Sequence, residues 1–435
     1  MKATARQARK LSAARALLDG AVAAHKGGRL DEAERRYEKF LSAQPDASPV
    51  IRLLGVLRYQ RGEIDPVIEL FRRALASDPS NAEAYRNLGI ALRDKGEDAE
   101  AVLVLRKAVA VRPDYAEGHR NLGIALQATD ALQEAVAAFS RAIALKPDYA
   151  DAHMNLGAAF LAQGRTADAL TAQRHAIALK PGLAAAHTNL GLALVEDGKI
   201  DEAIESYRHA LSLQPDLIEA HLNLGAALAA RRRFDEAFAA QRRAIEINPD
   251  HSNARRHFGV ALQEAGRFDE AEEALRKAIA LDPKNAEAYN NLGTLLDTQG
   301  RLGASLDAHR TALSLRPNNS DAHMGFGMTL LLHGRYEEGF REYEWRRRNK
   351  KPSPYAAIPE WDGSDLCGRR LLLHTEQGFG DTIQFMRYVP PVAALNGKVI
   401  VEVQAGLAGL FRQTLPDMEI IPRGTPLPAT TCNFR

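Results

Sequence analysis

The chain has 435 residues, more than one compact core of the usual size accommodates. Its 57 Lys and Arg stand against 55 Asp and Glu, a net charge of +2, so no basic face of the kind nucleic acid needs is implied. Two cysteines, Cys367 and Cys432, make neither a disulfide framework nor a zinc site, and the count suits a reducing cytoplasm.

The N-terminus, MKATARQARKLSAARALL, is basic but lacks the continuous apolar core of a secretory signal. Residues 1–13 therefore read as a lead-in to the first helix. No run approaches the ~18 apolar residues of a membrane span, and a cytoplasmic location is expected. A beat then sets in. Prolines fall at Pro45, Pro79, Pro113, Pro147, Pro181, Pro215, Pro249, Pro283 and Pro317, always 34 residues apart. Glycines keep the same interval from Gly55 to Gly327. A fixed period of this length marks stacked units, each packing only on its neighbours.

One unit, Asn81–Asp114, illustrates the pattern. Tyr85, Leu88, Gly89 and Leu92 lie at i, i+3, i+4 and i+7, which predicts a helix over Ala82–Asp94 with one apolar stripe. Gly89 lets a partner helix come close, and Gly96 ends the turn. A second helix follows over Asp98–Val111 with Ala101, Leu105 and Ala108 inward, and Pro113 stops it. Two turns carry Asp130 and Arg232 where the others have glycine, which predicts strain without loss of frame.

From about Ala14 to Asn349 the chain resembles the tetratricopeptide repeat family. The carrying residues are the Leu before most of the glycines (Leu54, Leu88, Leu122, Leu156, Leu190, Leu224, Leu292, with Phe258 and Phe326 substituting) and two small positions on the second helix, represented by Ala101 and Ala108. The resemblance implies a mostly α fold, a right-handed α-solenoid of about ten repeats over 14–349, with atypical first and last units. Residues 350–361 are proline-rich and read as a linker. Over 362–435 the pattern changes to strand–Gly loop–helix–strand–helix–strand: RLLLHTE, a helical stretch through Thr382–Leu395 broken by Pro390 and Pro391, KVIVEVQ, AGLAGLFRQTL and MEIIP. That order opens a parallel, Rossmann-like α/β unit, here a partial one.

Four features could carry function. The first is one asparagine per repeat: Asn87, Asn121, Asn155, Asn189, Asn223 and Asn291. An amide both donates and accepts, so a line of them can hold the backbone of an extended peptide. The ladder is similar to the groove of the O-GlcNAc transferases, which implies protein substrates on the concave side; packing between helices is the alternative. The second is His119, His153, His187, His221 and His323, exchanged for Tyr85 and Tyr289. Equivalent positions in stacked helices are ~8–10 Å apart. One metal ion cannot bridge that gap, so the slot reads as ring packing and no metal is expected. The third is the basic pairs on the second helices, Arg72–Arg73, Arg106–Lys107, Arg242–Arg243 and Arg276–Lys277. Acids at the starts of these helices make the face a solvated one.

The fourth is the loop Gln377-Gly378-Phe379-Gly380-Asp381. It lacks the third glycine of a dinucleotide fingerprint and the lysine of a P-loop. With Tyr343–Arg346 and Trp361–Gly363 it resembles the C-terminal domain of bacterial repeat-linked glycosyltransferases, similar to the heptosyltransferases of the GT-B fold. That resemblance implies an acceptor loop of Gln377, Gly378 and Gly380, with Asp381 as general base and a nucleotide-sugar as donor. A GT-B enzyme needs two lobes, and only about 75 residues follow Trp361, less than one lobe. The ending Thr430–Arg435 departs from the family, and one codon choice for it restores Asp-Leu-Gln-Phe-Pro in another frame. The chain thus reads as a truncated or frameshifted member. Three functions remain: a protein- or peptide-binding scaffold without cofactor, a glycosyltransferase whose repeats recruit the acceptor, and a structural or oligomerisation rod.

Overall fold

The computed structural model describes residues 2–347, 355, 358–375, 378–395 and 397–426. It divides into two compact units, Met1–Tyr343 and Glu344–Arg435.

The first unit is an α-solenoid of ten helix pairs. In chain order the pairs are α1 (Lys2–Lys26) with α2 (Leu30–Ala43), α3 (Ser48–Gln60) with α4 (Ile64–Ser77), α5 (Ala82–Asp94) with α6 (Asp98–Val111), and α7 (Ala116–Ala128) with α8 (Leu132–Leu145). Next come α9 (Ala150–Ala162) with α10 (Thr166–Leu179), α11 (Ala184–Glu196) with α12 (Ile200–Leu213), and α13 (Ile218–Ala230) with α14 (Phe234–Ile247). The last are α15 (Ser252–Glu264) with α16 (Phe268–Leu281), α17 (Ala286–Thr298) with α18 (Leu302–Leu315), and α19 (Ser320–Leu332) with α20 (Tyr336–Tyr343). Each odd-numbered helix, here an A helix, packs on its own B helix, on the preceding B helix, and in most repeats on the next A helix. A helices thus form one layer and B helices the other.

The periodic glycine explains the tight pairing. A Cβ at Gly89 would lie 2.4 Å from Leu105 Cγ, and one at Gly123 would lie 2.5 Å from the Phe139 ring. In each case the residue met stands 16 positions later, on the B helix. Phe71, Leu105, Phe139, Tyr207 and Leu275 fill that place and are almost fully buried. The turn after α5 requires a left-handed residue, Gly96 at φ +86°. Asp130 and Arg232 adopt the same conformation at φ +60° and +59°. An L-residue pays ~1–2 kcal/mol for it, which is the expected strain.

The basic B-helix residues form a ladder. Arg72 reaches Glu100 at 3.0 Å, Arg106 reaches Glu134 at 2.6 Å and Arg208 reaches Glu236 at 3.0 Å. Each pair joins a B helix to the first turn of the next one. Exposed pairs of this kind are worth at most ~1 kcal/mol each, so they mark register more than they add stability.

The second unit holds a parallel sheet in the order β1 (Arg370–His374), β2 (Lys398–Val403), β3 (Glu419–Pro422). Leu372 pairs with Ile400 and Val401 with Ile420. Leu371, Val399, Val401, Val403 and Ile420 bury one face under Met386, Val389, Leu407 and Phe411. Leu372, Ile400 and Ile421 form the other with Tyr355 and Ile358. The helical stretch expected over Thr382–Leu395, broken at Pro390 and Pro391, is three pieces: α21 (Phe379–Phe385), a 3-10 turn over Met386–Tyr388, and α22 (Val389–Ala393). Pro390 and Pro391 cannot continue a hydrogen-bond ladder but open a new helix at no cost, which places the break before them. α23 (Ala405–Thr414) connects β2 to β3. Gln377, residues 350–354 of the linker and the ending Thr430–Arg435 lie outside the described residues.

Candidate functional site

The asparagines sit midway along the A helices, next to the leucine that packs into the core. Asn87 and Asn121 are only 7% and 6% exposed, while Asn155, Asn189, Asn223 and Asn291 are partly buried. Some of their bonding capacity is used locally. Arg86 donates to Asn87 Oδ1 from Nε at 3.1 Å and Nη2 at 2.7 Å, and Asn121 Nδ2 donates to the Glu117 carbonyl at 2.7 Å. The Nδ2 atoms of Asn87 and Asn155 are buried with no hydrogen-bond partner. Each such donor costs ~1–3 kcal/mol until an acceptor meets it.

The register reveals two breaks in the ladder: His257 stands 34 residues after Asn223, and Gly325 stands 34 after Asn291. His257 Nε2 lies 2.8 Å from Arg256 Nη2, so the arginine donates and the ring is neutral. Burial, followed by the Arg256 and His251 charges, pushes His257 down to about 4. Burial also pushes Arg256 down from its usual value. A second column runs beside the ladder one residue earlier: Arg52, Arg86 and Arg120. Arg52 pairs with Glu83 at 2.9 Å, Arg86 lies over the Tyr115 ring at 5.8 Å, and Arg120 lies over Tyr149 at 5.8 Å. Arg52 Nε and Arg120 Nε are buried without partners. The sequence signal for this column was the same 34-residue interval, applied to arginine.

The histidine slot has a polar role. Nε2 of His119, His153 and His187 lies 3.0 Å from the carbonyls of Pro113, Pro147 and Pro181, and His221 and His323 repeat the contact with Pro215 and Pro317 at 2.9 and 2.8 Å. A carbonyl only accepts, so Nε2 carries the hydrogen. Arg255, in the same register, donates to Pro249 instead. Each side chain latches an A helix to the turn before it. Burial pushes His153 and His187 below the usual histidine value, against the opposing effect of this bond.

In the second unit Asp381 is exposed in the first turn of α21. Gly378 caps that helix, and Thr382 Oγ1 contacts both the Gly378 carbonyl and Gln404 Oε1 at 3.0 Å. A Cβ on Gly378 or Gly380 would meet nothing within 4 Å. These glycines therefore cradle no group that the described residues supply. A cavity of about 320 Å³ lies in the solenoid, between α12, α13 and α14. Leu211, Leu224, Leu228 and Ala240 line it, with Arg208, Glu236 and Arg243 around them. No described helix is long and apolar enough to cross a membrane.

Parts of the chain are similar to known proteins. A 36% identical stretch of 101 residues is shared with protein FlbA of Caulobacter vibrioides; it covers 22% of this chain and 17% of that protein's length. Among solved structures, the APC/C hetero-tetramer Cut9-Hcn1 is 20% identical at a TM-score of 0.49 over 69% of this chain and 59% of that one. Yeast Tom70 is 15% identical at 0.46 over 79% and 93%. MamA is 33% identical at 0.34 over 37% and 95%. The profile described as TPR repeat matches residues 55–96, 89–130, 131–164 and 191–231, and two described as tetratricopeptide repeat match 216–284 and 258–319. Together these stretches cover more than half of the sequence, and the chain belongs to the tetratricopeptide repeat family.

Proposed function

We propose that the chain is a protein-binding scaffold whose A-helix layer holds an extended segment of a partner. The observation that carries this reading is the pair of buried, unpartnered amide donors on Asn87 and Asn155. They stand in one register two repeats apart, so on turning outward they would meet carbonyls about 16–20 Å apart along an extended chain, several residues from one another. Asn121, Asn189, Asn223 and Asn291 continue the line. The arginine column at Arg52, Arg86 and Arg120 favours acidic groups in the segment that lies across repeats two to four. On the B-helix layer Arg72, Arg106 and Arg208 are paired with glutamates of the next repeat.

The test uses a peptide selected from a random library on the intact chain. Replacing Asn87, Asn155 and Asn189 by Ala should weaken its binding at least about tenfold, since each lost bond is worth ~1 kcal/mol. Helicity should stay unchanged, and Arg106→Ala on the other layer should have no effect. Equal affinity in the triple variant would overturn the reading. The same preparations separate it from glycosyl transfer, in which Asp381 would deprotonate an acceptor hydroxyl attacking a nucleotide-sugar. Turnover that Asp381→Ala abolishes would favour the enzyme.

A further inference from the structure

The latch histidines of repeats five and six differ from the rest. His153 on α9 has its ring centroid 4.3 Å from that of His175 on α10, at an interplanar angle of 50°. One repeat later, His187 on α11 and His209 on α12 repeat the pair at 4.3 Å and 59°. In both pairs the first ring donates Nε2–H to a proline carbonyl at 3.0 Å. That bond fixes the tautomer and leaves Nδ1 with its lone pair. Metal-bound histidines show this arrangement: one ring nitrogen on the ion, the other donating to a backbone carbonyl that orients the ring. The second member of each pair, His175 or His209, is exposed, so its ring can turn.

We propose that each pair binds one divalent transition-metal ion of the zinc type, through Nδ1 of the latch histidine and a ring nitrogen of its exposed partner. The distances allow it. With metal–nitrogen bonds of ~2.0–2.1 Å at the tetrahedral angle, two imidazole centroids lie roughly 5.2 Å apart. The observed spacing must therefore open by about 1 Å, which a rotamer change of the exposed ring supplies. Imidazole nitrogen suits zinc, nickel and copper rather than calcium or magnesium. The other latches lack the second ligand. The position 22 residues on holds Arg141 after His119 and Arg243 after His221, and His323 turns Nδ1 to Glu342. Among the described residues no third His, Cys, Asp or Glu completes a cluster, so water fills the remaining positions and the ion stays exchangeable. Each ion would tie an A helix to its own B helix. The long interval between repeats, which rules out a shared ion along the latch series, does not apply across one pair.

The experiment is a calorimetric titration of the untagged, chelator-treated full chain with Zn²⁺ at neutral pH. Two ions should bind per chain, one in His175→Gln, and none in the His175→Gln/His209→Gln variant. The thermal midpoint should rise with Zn²⁺ in the parent chain, fall back with chelator, and be indifferent to Zn²⁺ in the double variant. His221→Gln should still bind two. Fewer than two ions on the parent chain, or any ion retained by the double variant, overturns the assignment. Both substituted side chains are exposed, and far-UV circular dichroism confirms that the variants remain folded.

Discussion

Repeats four and five solve one packing problem with different chemistry. Gly123 faces the fully buried ring of Phe139, whereas Gly157 faces Gln173, which is equally buried. Gln241 and His309 take the same place in repeats seven and nine. The polar fillers are incompletely satisfied. Gln173 donates to the Met154 carbonyl at 2.9 Å, but its Oε1 has no partner, and neither has Oε1 of Gln241. His309 bonds Asn290 Oδ1 at 2.9 Å while Nε2 stays unpaired, 3.7 Å from Asp297. The repeat frame therefore demands close backbone approach and tolerates almost any side chain of suitable volume in the gap. The cost falls on stability in alternate stretches of the solenoid. In a stack whose units interact only with neighbours, weak units open locally without unfolding the rest.

Three experiments bear on this contrast. The largest effect should come from the polar interior at His257. Its folded value of about 4 lies below the ordinary histidine value, so the unfolded chain takes up the proton first as pH falls. Stability is complete above about pH 6.5 and is lost on the way down to pH 4, amounting to about 2 kcal/mol by pH 5. Hydrogen-exchange protection factors in repeat eight, corrected for the intrinsic pH dependence of exchange, should therefore fall at pH 5. His257→Asn, which restores the ladder residue, should remove that dependence; a pH profile unchanged by the substitution would contradict the assignment. Next, Gly123→Ala should destabilise by about 1–2 kcal/mol, because a rigid ring cannot yield. Gly157→Ala should cost less, because the nearest atom is the end of a flexible glutamine and alanine favours helix, which offsets part of the lost bond to the Met154 carbonyl. Equal losses in urea unfolding would erase the distinction between the two classes of repeat. The smallest effect is a gain. Gln241→Leu removes an unpaired acceptor and should raise local stability by about 1 kcal/mol, read as slower exchange in α14.

Much of the fold was legible because its signals are local. The 34-residue interval, with Gly96 and Pro113 as stops, located α5 and α6 at their observed ends. Three runs rich in branched residues marked the strands. Pro390 and Pro391 marked a break in the stretch over Thr382–Leu395, and the chain places that break just before them, as the start of α22. The site was legible in position but not in state. The interval placed the asparagines in line, yet their burial depends on neighbouring A helices that no single repeat contains. The latch was invisible because its partner is a main-chain carbonyl, identical in every sequence. The His153–His175 contact crosses two helices, and a series read along equivalent positions passes over it.

The arginine–glutamate ladder on the B helices has a consequence for how such a chain can change length. Repeat three carries both halves of the joint, Glu100 for the unit before and Arg106 for the unit after. Excise that repeat and Arg72 meets Glu134, the same two side chains in the same relation. Duplicate it and the new seam is again Arg106 with a copy of Glu100. Where it occurs the joint behaves as a standard coupling, so that part of the solenoid can grow or shrink by whole units while these seams keep the same chemistry.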